Sequence, residues 1–293
     1  MKTQKTPKNA SSPARARNQT GAADAFCDAR LALGRVTLAL ADLMKETGLS
    51  AIAAKRQLTR LRDKVIRVSP RLPFYLIVSP EYRGMGAPPP QWWLHDYFEW
   101  LGRPYYLALQ SAASSFGSNP QALQVTQVMT DRPCRAIKAG RIQVRFFVKR
   151  GIARASTRQL DGAPAPLRVS TPEATAYDLI RYATAIGGIE RAAETIRPLL
   201  PILRPRELKR VLDAQAKNEI PVAQRLGFVL EASGGRALAK TVRDWLPAGK
   251  IAPVMLAPDG GKHAHGRGRT RGRDGIPLVA HWRIFNNSSE LKT

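Results

Sequence analysis

Thr37-Leu38-Ala39-Leu40-Ala41-Asp42-Leu43-Met44-Lys45-Glu46-Thr47, followed by Gly48-Leu49-Ser50 and then Ala51-Ile52-Ala53-Ala54-Lys55-Arg56-Gln57-Leu58-Thr59-Arg60-Leu61-Arg62-Asp63, is the most constraining part of this chain. The first run reads as a short helix, because Leu38, Ala41 and Met44 or Lys45 recur three to four apart in one stripe. Gly48 suits a left-handed C-cap, and Ser50 is a side chain that caps the helix after it. That second helix, over residues 51–63, sets Ala51, Ala54, Leu58, Leu61 and later Val65 on one face. Ala53, Arg56, Gln57 and Arg60 take the other face, flanked by Lys55 and Arg62. Two β-prone runs follow, residues 65–69 and 74–79, joined by a tight Pro70-Arg71-Leu72-Pro73 turn. The pattern over residues 37–78 predicts a winged helix-turn-helix, whose second helix enters the DNA major groove. A charged helix face alone is usually a solvated one. The short turn, the outward Arg-Gln-Arg set and the hairpin favour DNA. Candidate groove contacts are Arg56, Gln57 and Arg60, with Ser50 and Ala53 nearby. Arg67 and Arg71 reach phosphate or minor groove from the wing, while Lys55 and Arg62 neutralise phosphates.

Composition points the same way. The chain has 293 residues, 44% of them hydrophobic, enough for a sizeable core and for two domains. Its formal charge of +25 and pI near 11.0 call for a polyanionic partner. Residues 1–80 hold 15 Lys or Arg against 5 Asp or Glu, which supplies affinity for phosphate without choice of sequence. A membrane surface is the competing polyanion, but no run approaches the roughly 18 apolar residues of a span. Cys27 and Cys134 are too few for a disulfide framework, and a reducing cytoplasm is expected. The N-terminus, with Lys2, Lys5, Lys8, Arg15 and Arg17 before its first acid, Asp24, lacks the apolar core of a secretory signal. It reads as a disordered basic arm, with an organellar transit peptide as the lesser alternative.

The expected organisation is a basic tail (1–21), the winged domain (22–80), a proline-rich linker (81–90) and a larger α+β C-terminal domain (91–293). The fold class is therefore α+β. Residues 22–33 form a first helix, with Ala25, Phe26, Ala29 and Leu33 spaced to pack on the next two. Residues 91–101 make an aromatic helix, Trp92, Trp93, Tyr97, Phe98 and Trp100, which reads as core more than as a base-stacking surface. Pro104-Tyr105-Tyr106 reads as the start of another helix. In residues 141–149 the apolar Ile142, Val144, Phe146 and Val148 alternate as in a strand, and residues 124–130 are its expected partner. Helices are expected over 172–185, 189–200, 205–217, 222–231 and 236–246, with short strands near 254–256 and 278–286. Residues 259–273, alternating Gly and Arg, read as a mobile basic loop, either solvated or laid along a nucleic-acid backbone.

Motifs for catalysis are weak. Ser170-Thr171-Pro172-Glu173-Ala174-Thr175-Ala176-Tyr177-Asp178-Leu179-Ile180-Arg181-Tyr182 is a strong helix start: Thr171 caps before Pro172, or Ser170 and Glu173 form a capping box. Asp178 and Arg181, three apart, are expected to pair. Glu173 and Asp178 lie five apart, off a common face, so capping and pairing outweigh acid–base or metal chemistry. His263 and His265 fall short of a metal site, and Gly261-Lys262 lacks the rest of a phosphate loop. No catalytic residue, metal or cofactor is assigned, and the protein is read as a non-enzyme.

Taken together, these pieces resemble the AbiEi family, antitoxins and transcriptional regulators of bacterial type IV abortive-infection toxin–antitoxin pairs. The resemblance rests on Ala41-Asp42-Leu43, Leu58-Thr59-Arg60-Leu61 and Tyr82-Arg83-Gly84-Met85-Gly86-Ala87-Pro88-Pro89. It continues in Tyr105-Tyr106-Leu107-Ala108-Leu109-Gln110-Ser111-Ala112-Ala113, residues 124–132, Ser170 to Tyr182, Gln224-Arg225-Leu226-Gly227 and Trp282 to Asn286. The string at Ser170 is the most specific part. The resemblance implies a winged helix that binds repeats in its own promoter and represses the operon. It also implies a C-terminal domain that counteracts a nucleotidyltransferase-like toxin without requiring a stable complex. The basic start and the Gly/Arg loop are departures from the family pattern. The rival reading is an enzyme that processes nucleic acid or modifies the toxin through Glu173 or Asp178; a third is an RNA-binding module using the Gly/Arg loop.

Overall fold

A computed structural model describes residues 21–118, 123–249, 251–257 and 275–292. The Gly/Arg loop 259–273, and all but the last residue of the expected basic tail, lie outside the described residues. The fold is α+β, with ten α-helices and three sheets among the described residues. The chain divides into two compact units, residues 1–101 with 136–143, and residues 102–135 with 144–293.

The first unit opens with α1 (Ala22–Ala32), then β1 (Thr37–Ala39), α2 (Leu40–Thr47) and α3 (Ala51–Arg60). The hairpin β2 (Val65–Ser69) and β3 (Leu72–Ile77) follows. Thr37, Leu38 and Ala39, expected to begin a helix, are a strand. They pair antiparallel with β3, Thr37 opposite Leu76 and Ala39 opposite Phe74, and all three are buried. Sheet pairing outweighs the helical spacing here, because a three-residue strand at this edge completes the order β1-β3-β2. The turn between α2 and α3 is built as its sequence requires. Gly48 closes α2 with φ of 67°, a conformation open to glycine at little cost, and Ser50 Oγ accepts from the Ala53 N–H at 3.3 Å. Ala23, Phe26, Cys27, Leu43, Ala54 and Leu58 form the core beneath. Burial pushes the Cys27 thiol up to about 11, so it is an unreactive core residue.

Residues 81–90 contain no α-helix, although single 3-10 turns lie at Pro80–Tyr82 and Pro90–Trp92. The aromatic helix α4 (Leu94–Leu101) is core, as its composition suggested: Trp93, Tyr97 and Phe98 are buried, and Phe74 packs on Tyr97 and Trp100 at 5.4 and 5.2 Å. These contacts, with the 2.6 Å bond from Thr37 Oγ1 to Asp96, tie α4 to the first unit. Residues 136–143, containing β6 (Ile137–Ala139), join it too, where Arg141 N–H donates to Met85 O at 2.8 Å. That crossing needs two glycines: a Cβ at Gly140 would stand 2.2 Å from Met85 O and 2.6 Å from Gly86 Cα.

In the second unit, β4 (Tyr105–Leu107), β5 (Val125–Thr130), β7 (Ile142–Val148, from residue 144), β8 (Thr157–Gln159) and β9 (Arg168–Ser170) run in the order β7-β5-β4-β9-β8. Residues 105–107, expected to begin a helix, are instead the middle strand. Hydrogen-bonded on one side to β5 and on the other, parallel, to β9, they are wholly buried, a setting that suits consecutive aromatics. The alternation of β7 holds through Arg145 and then changes phase: Phe147 turns inward, Val148 outward and Lys149 inward. The helices are α5 (Leu109–Ser115), α6 (Pro172–Arg181), α7 (Ile189–Ile196), α8 (Pro205–Asp213), α9 (Ile220–Ala232) and α10 (Arg236–Trp245). Helix α6 packs against α5, α7, α8 and α9, and every residue from Glu173 to Ile180 is buried. A helix buried on all sides is the centre of its domain. A small sheet, β10 (Val254–Met255), β12 (Ile284–Phe285) and β11 (Leu278–Val279), completes the unit.

Candidate functional site

Helix α3 and the β2–β3 hairpin carry the residues expected to meet DNA. Ala54 and Leu58 face the core, while Ser50, Lys55, Arg56 and Arg60 are exposed and Ala53 is half-buried. Arg62, Arg67 and Arg71 are also exposed. Among the described residues, no acidic side chain pairs with Lys55, Arg56, Arg60, Arg62, Arg67 or Arg71. Lys64 differs: Asp24 and Asp28 hold its ammonium at 2.6 and 2.5 Å. Its partial desolvation is outweighed by those two carboxylates, which raise its pKa. Gln57, expected on the outward face, is half-buried, and its Oε1 accepts the Ala23 N–H at 2.9 Å, capping α1. Arg67 Nε donates to Leu72 O at 2.9 Å and its guanidinium lies over the Tyr75 ring, which fixes it along the hairpin. One exposed apolar side chain was passed over by the sequence reading: Ile52, in the first turn of α3, is 67% exposed.

The Ser170–Tyr182 string builds the centre of the second unit. Thr171 Oγ1 accepts the Ala174 N–H at 3.3 Å, with Pro172 in the first turn, as expected of the cap. Glu173 is not part of a capping box. It is buried, and its Oε1 accepts the backbone N–H of Arg204 at 3.0 Å, which holds the start of α8. Among the described residues the expected Asp178–Arg181 pair does not form, because each has a nearer partner. Asp178, fully buried, accepts from Lys149 Nζ at 2.6 Å and from Tyr106 OH at 2.8 Å. Arg181 pairs with Glu219, which also accepts from Tyr177 OH at 3.2 Å. Burial, reinforced by the Asp178 charge, holds the Tyr106 hydroxyl well above its usual range, so it is a neutral donor. These interactions satisfy both carboxylates of the string in structural roles. Lys149 falls outside the alternating set Ile142, Val144, Phe146 and Val148, which by period two would leave it on the polar side of β7; the change of phase brings it inward.

Above Lys149 and Arg181 lies a cleft of about 400 Å³, also lined by Arg150, Arg154, Gln215 and Glu219. Arg154 folds back so that its guanidinium lies over Gly151. Elsewhere in the unit, two further strings from the sequence meet. Gln224 Nε2 donates to Trp282 O at 3.0 Å, Arg225 Nε donates to Met255 O at 2.9 Å, and Trp282 lies directly against Gly227. Trp282 Nε1 and His281 both reach Glu231. Likewise residues 105–113 and 124–132 lock together: Gln110 N–H donates to Gln127 Oε1, and Gln127 N–H to Ser111 Oγ, each at 2.9 Å.

The residues that build this centre fall within the stretch matched by a known family. Residues 106–232 match the model of the AbiEi antitoxin C-terminal domain. This region is an AbiEi antitoxin domain. Such a domain suggests an antitoxin of a toxin–antitoxin system, a role that implies a toxin partner. The AbiEi domain spans β4 through α9, so Tyr106, Lys149, Glu173, Asp178 and Arg181 all lie within it. Among solved structures, the crystal structure of RV2827C protein from Mycobacterium tuberculosis is similar, at TM-score 0.63 and 14% identity over 92% of each chain, a likeness of fold. No curated protein matches. Among the described residues, no cluster of three or more His, Cys, Asp or Glu is placed to hold a metal, and no helix is long and apolar enough to cross a membrane.

Proposed function

We propose that this protein is an antitoxin and also a DNA-binding repressor of its own operon, in which a winged helix-turn-helix formed by α1–α3 and the β2–β3 hairpin binds promoter repeats as double-stranded DNA. The observation carrying this reading is the row of cations on α3 and the hairpin, exposed and without acidic partners among the described residues. A helix whose inner face is buried by Ala54 and Leu58 can present Arg56 and Arg60 to base edges while Lys55 and Arg62 meet phosphate. The hairpin carries Arg67 and Arg71 as phosphate or minor-groove contacts. Gln57, held by α1, supports the helix rather than reading a base. The AbiEi domain then counteracts a nucleotidyltransferase-like toxin, without a stable complex and without a catalytic step, in the cytoplasm. The burial and pairing of Glu173 and Asp178 favour this non-enzymatic reading over acid–base chemistry at those residues.

The test is binding to the upstream repeats against scrambled duplex. Arg56→Ala or Arg60→Ala should cost about 1–3 kcal/mol on the repeats and relax sequence preference. Lys55→Ala should weaken both duplexes alike and flatten the log–log salt slope by about 0.9. Equal, sequence-independent losses at all three positions would overturn the assignment of base reading. Persistence of toxin neutralisation in a folded Glu173→Ala, Asp178→Asn protein is the matching expectation for the C-terminal domain.

A further inference from the structure

The cleft of about 400 Å³ over β7 and the α8–α9 connection has no part in the reading above, and its chemistry is specific. A volume of that size equals the share of roughly a dozen waters, more than a single hydrated ion needs and within the range of small-ligand sites. Its walls carry Lys149, Arg150, Arg154 and Arg181 against one carboxylate, Glu219. Two of the cations are already answered: Lys149 by the buried Asp178, Arg181 by Glu219. Arg150 and Arg154, both exposed on the rim, have no acidic partner among the described residues. The fixed pairs make a rigid floor, and the two rim guanidiniums supply uncompensated charge in a fork geometry suited to phosphate oxygens. No aromatic ring lines the cleft, so nothing there stacks on a base.

We propose that this cleft is a binding site for the oligophosphate chain of a small ligand, gripped by Arg150 and Arg154 above the Lys149–Asp178 and Arg181–Glu219 pairs. The ligand is recognised through its phosphates alone, so inorganic tripolyphosphate and the triphosphate of a nucleotide share the same chemistry.

The full-length protein is titrated calorimetrically with inorganic tripolyphosphate, and separately with ATP and CTP, at about 0.15 M salt, where loose surface attraction is screened. One ligand per chain is expected, with ATP and CTP binding equally well. Because the chain carries +25 overall, the decisive comparison is between positions. Arg150→Ala and Arg154→Ala should each weaken binding about tenfold, the loss of one charge-assisted contact. Arg236→Ala, at an exposed cation on α10 that does not line the cleft, should leave it unchanged. Hydrogen exchange should slow on loading at residues 148–155 and 214–219. Equal losses at Arg236, or several ligands per chain with no protection at those segments, would refute the site and leave only general attraction to a basic protein. Promoter binding by Arg150→Ala, Arg154→Ala protein should be intact; its loss would assign these arginines to the DNA backbone and overturn the proposal. The phosphate titrations and the exchange protection involve neither the toxin nor the operator, so the cleft can fail while the repressor reading holds, and the reverse.

Discussion

Removing Lys149 while leaving Asp178 in place exposes what holds the AbiEi domain together. Asp178 is wholly buried at the centre of α6, and it has two partners, Lys149 Nζ at 2.6 Å and Tyr106 OH at 2.8 Å. In Lys149→Met the side chain keeps most of its length beside the Tyr106 and Tyr177 rings, but the carboxylate loses its counter-charge. An ionised group stranded in this way costs about 3–5 kcal/mol, whereas a buried pair replaced as a whole by groups of similar shape is often neutral. Against a typical domain stability of about 5–15 kcal/mol, the single change removes at least about a fifth. The double variant Lys149→Met, Asp178→Asn is therefore expected to recover most of the loss, because the amide carries no charge and still accepts from Tyr106. Urea unfolding followed by amide hydrogen exchange at α6 and β7 isolates this unit from the N-terminal one. A loss under about 1 kcal/mol in the single variant, or a double variant no more stable than the single, would falsify the account of Asp178 as a charge kept in the core by Lys149.

Other consequences follow from the same geometry. Gly227→Ala would place a Cβ 2.1 Å from Trp282 Cζ3, so the tryptophan must shift. An overpacking loss of about 1–3 kcal/mol is expected, visible as altered Trp fluorescence and earlier unfolding. Glu231 is partly desolvated, which alone would raise its pKa, yet its bonds to His281 and Trp282 prevail and hold it below its ordinary value of 4.5. A carboxylate depressed on folding stabilises the protein above its unfolded pKa, and that contribution is lost as pH falls through the lower folded value. In Glu231→Gln the stability-versus-pH curve should accordingly be flatter below about pH 4.5; a curve parallel to the parent's would contradict this. Gln57→Ala should lower stability by about 0.5–1.5 kcal/mol through the uncapped Ala23 N–H, with sequence preference on DNA unchanged. A change of preference would return Gln57 to the groove.

Local rules reached far into the first unit because its turn chemistry is carried by single residues. Gly48 and Ser50 announce a left-handed C-cap and an N-cap, and both form, one through the missing Cβ and the other through its hydroxyl. The long helices of the second unit were legible for the same reason, since a 3.6-residue period and Pro172 or Pro205 in a first turn need no knowledge of neighbours. Short strands failed. Residues 37–39 and 105–107 have no period long enough to read, and only their pairing with β3, or with β5 and β9, makes them strands. Side-chain pairing across the fold failed likewise. Asp178 and Arg181 have the spacing of a helical ion pair, but a helix covered on every side takes its partners from other elements. Lys149 was hidden because alternation along β7 assigned it to the solvent side, and one change of phase after Arg145 reversed that. The charge pattern on which the proposed DNA contacts rest is a surface property and survives in the sequence. Buried charges are conditional on packing, so the residues that define this domain's centre could be recognised as a string before their chemistry could be assigned.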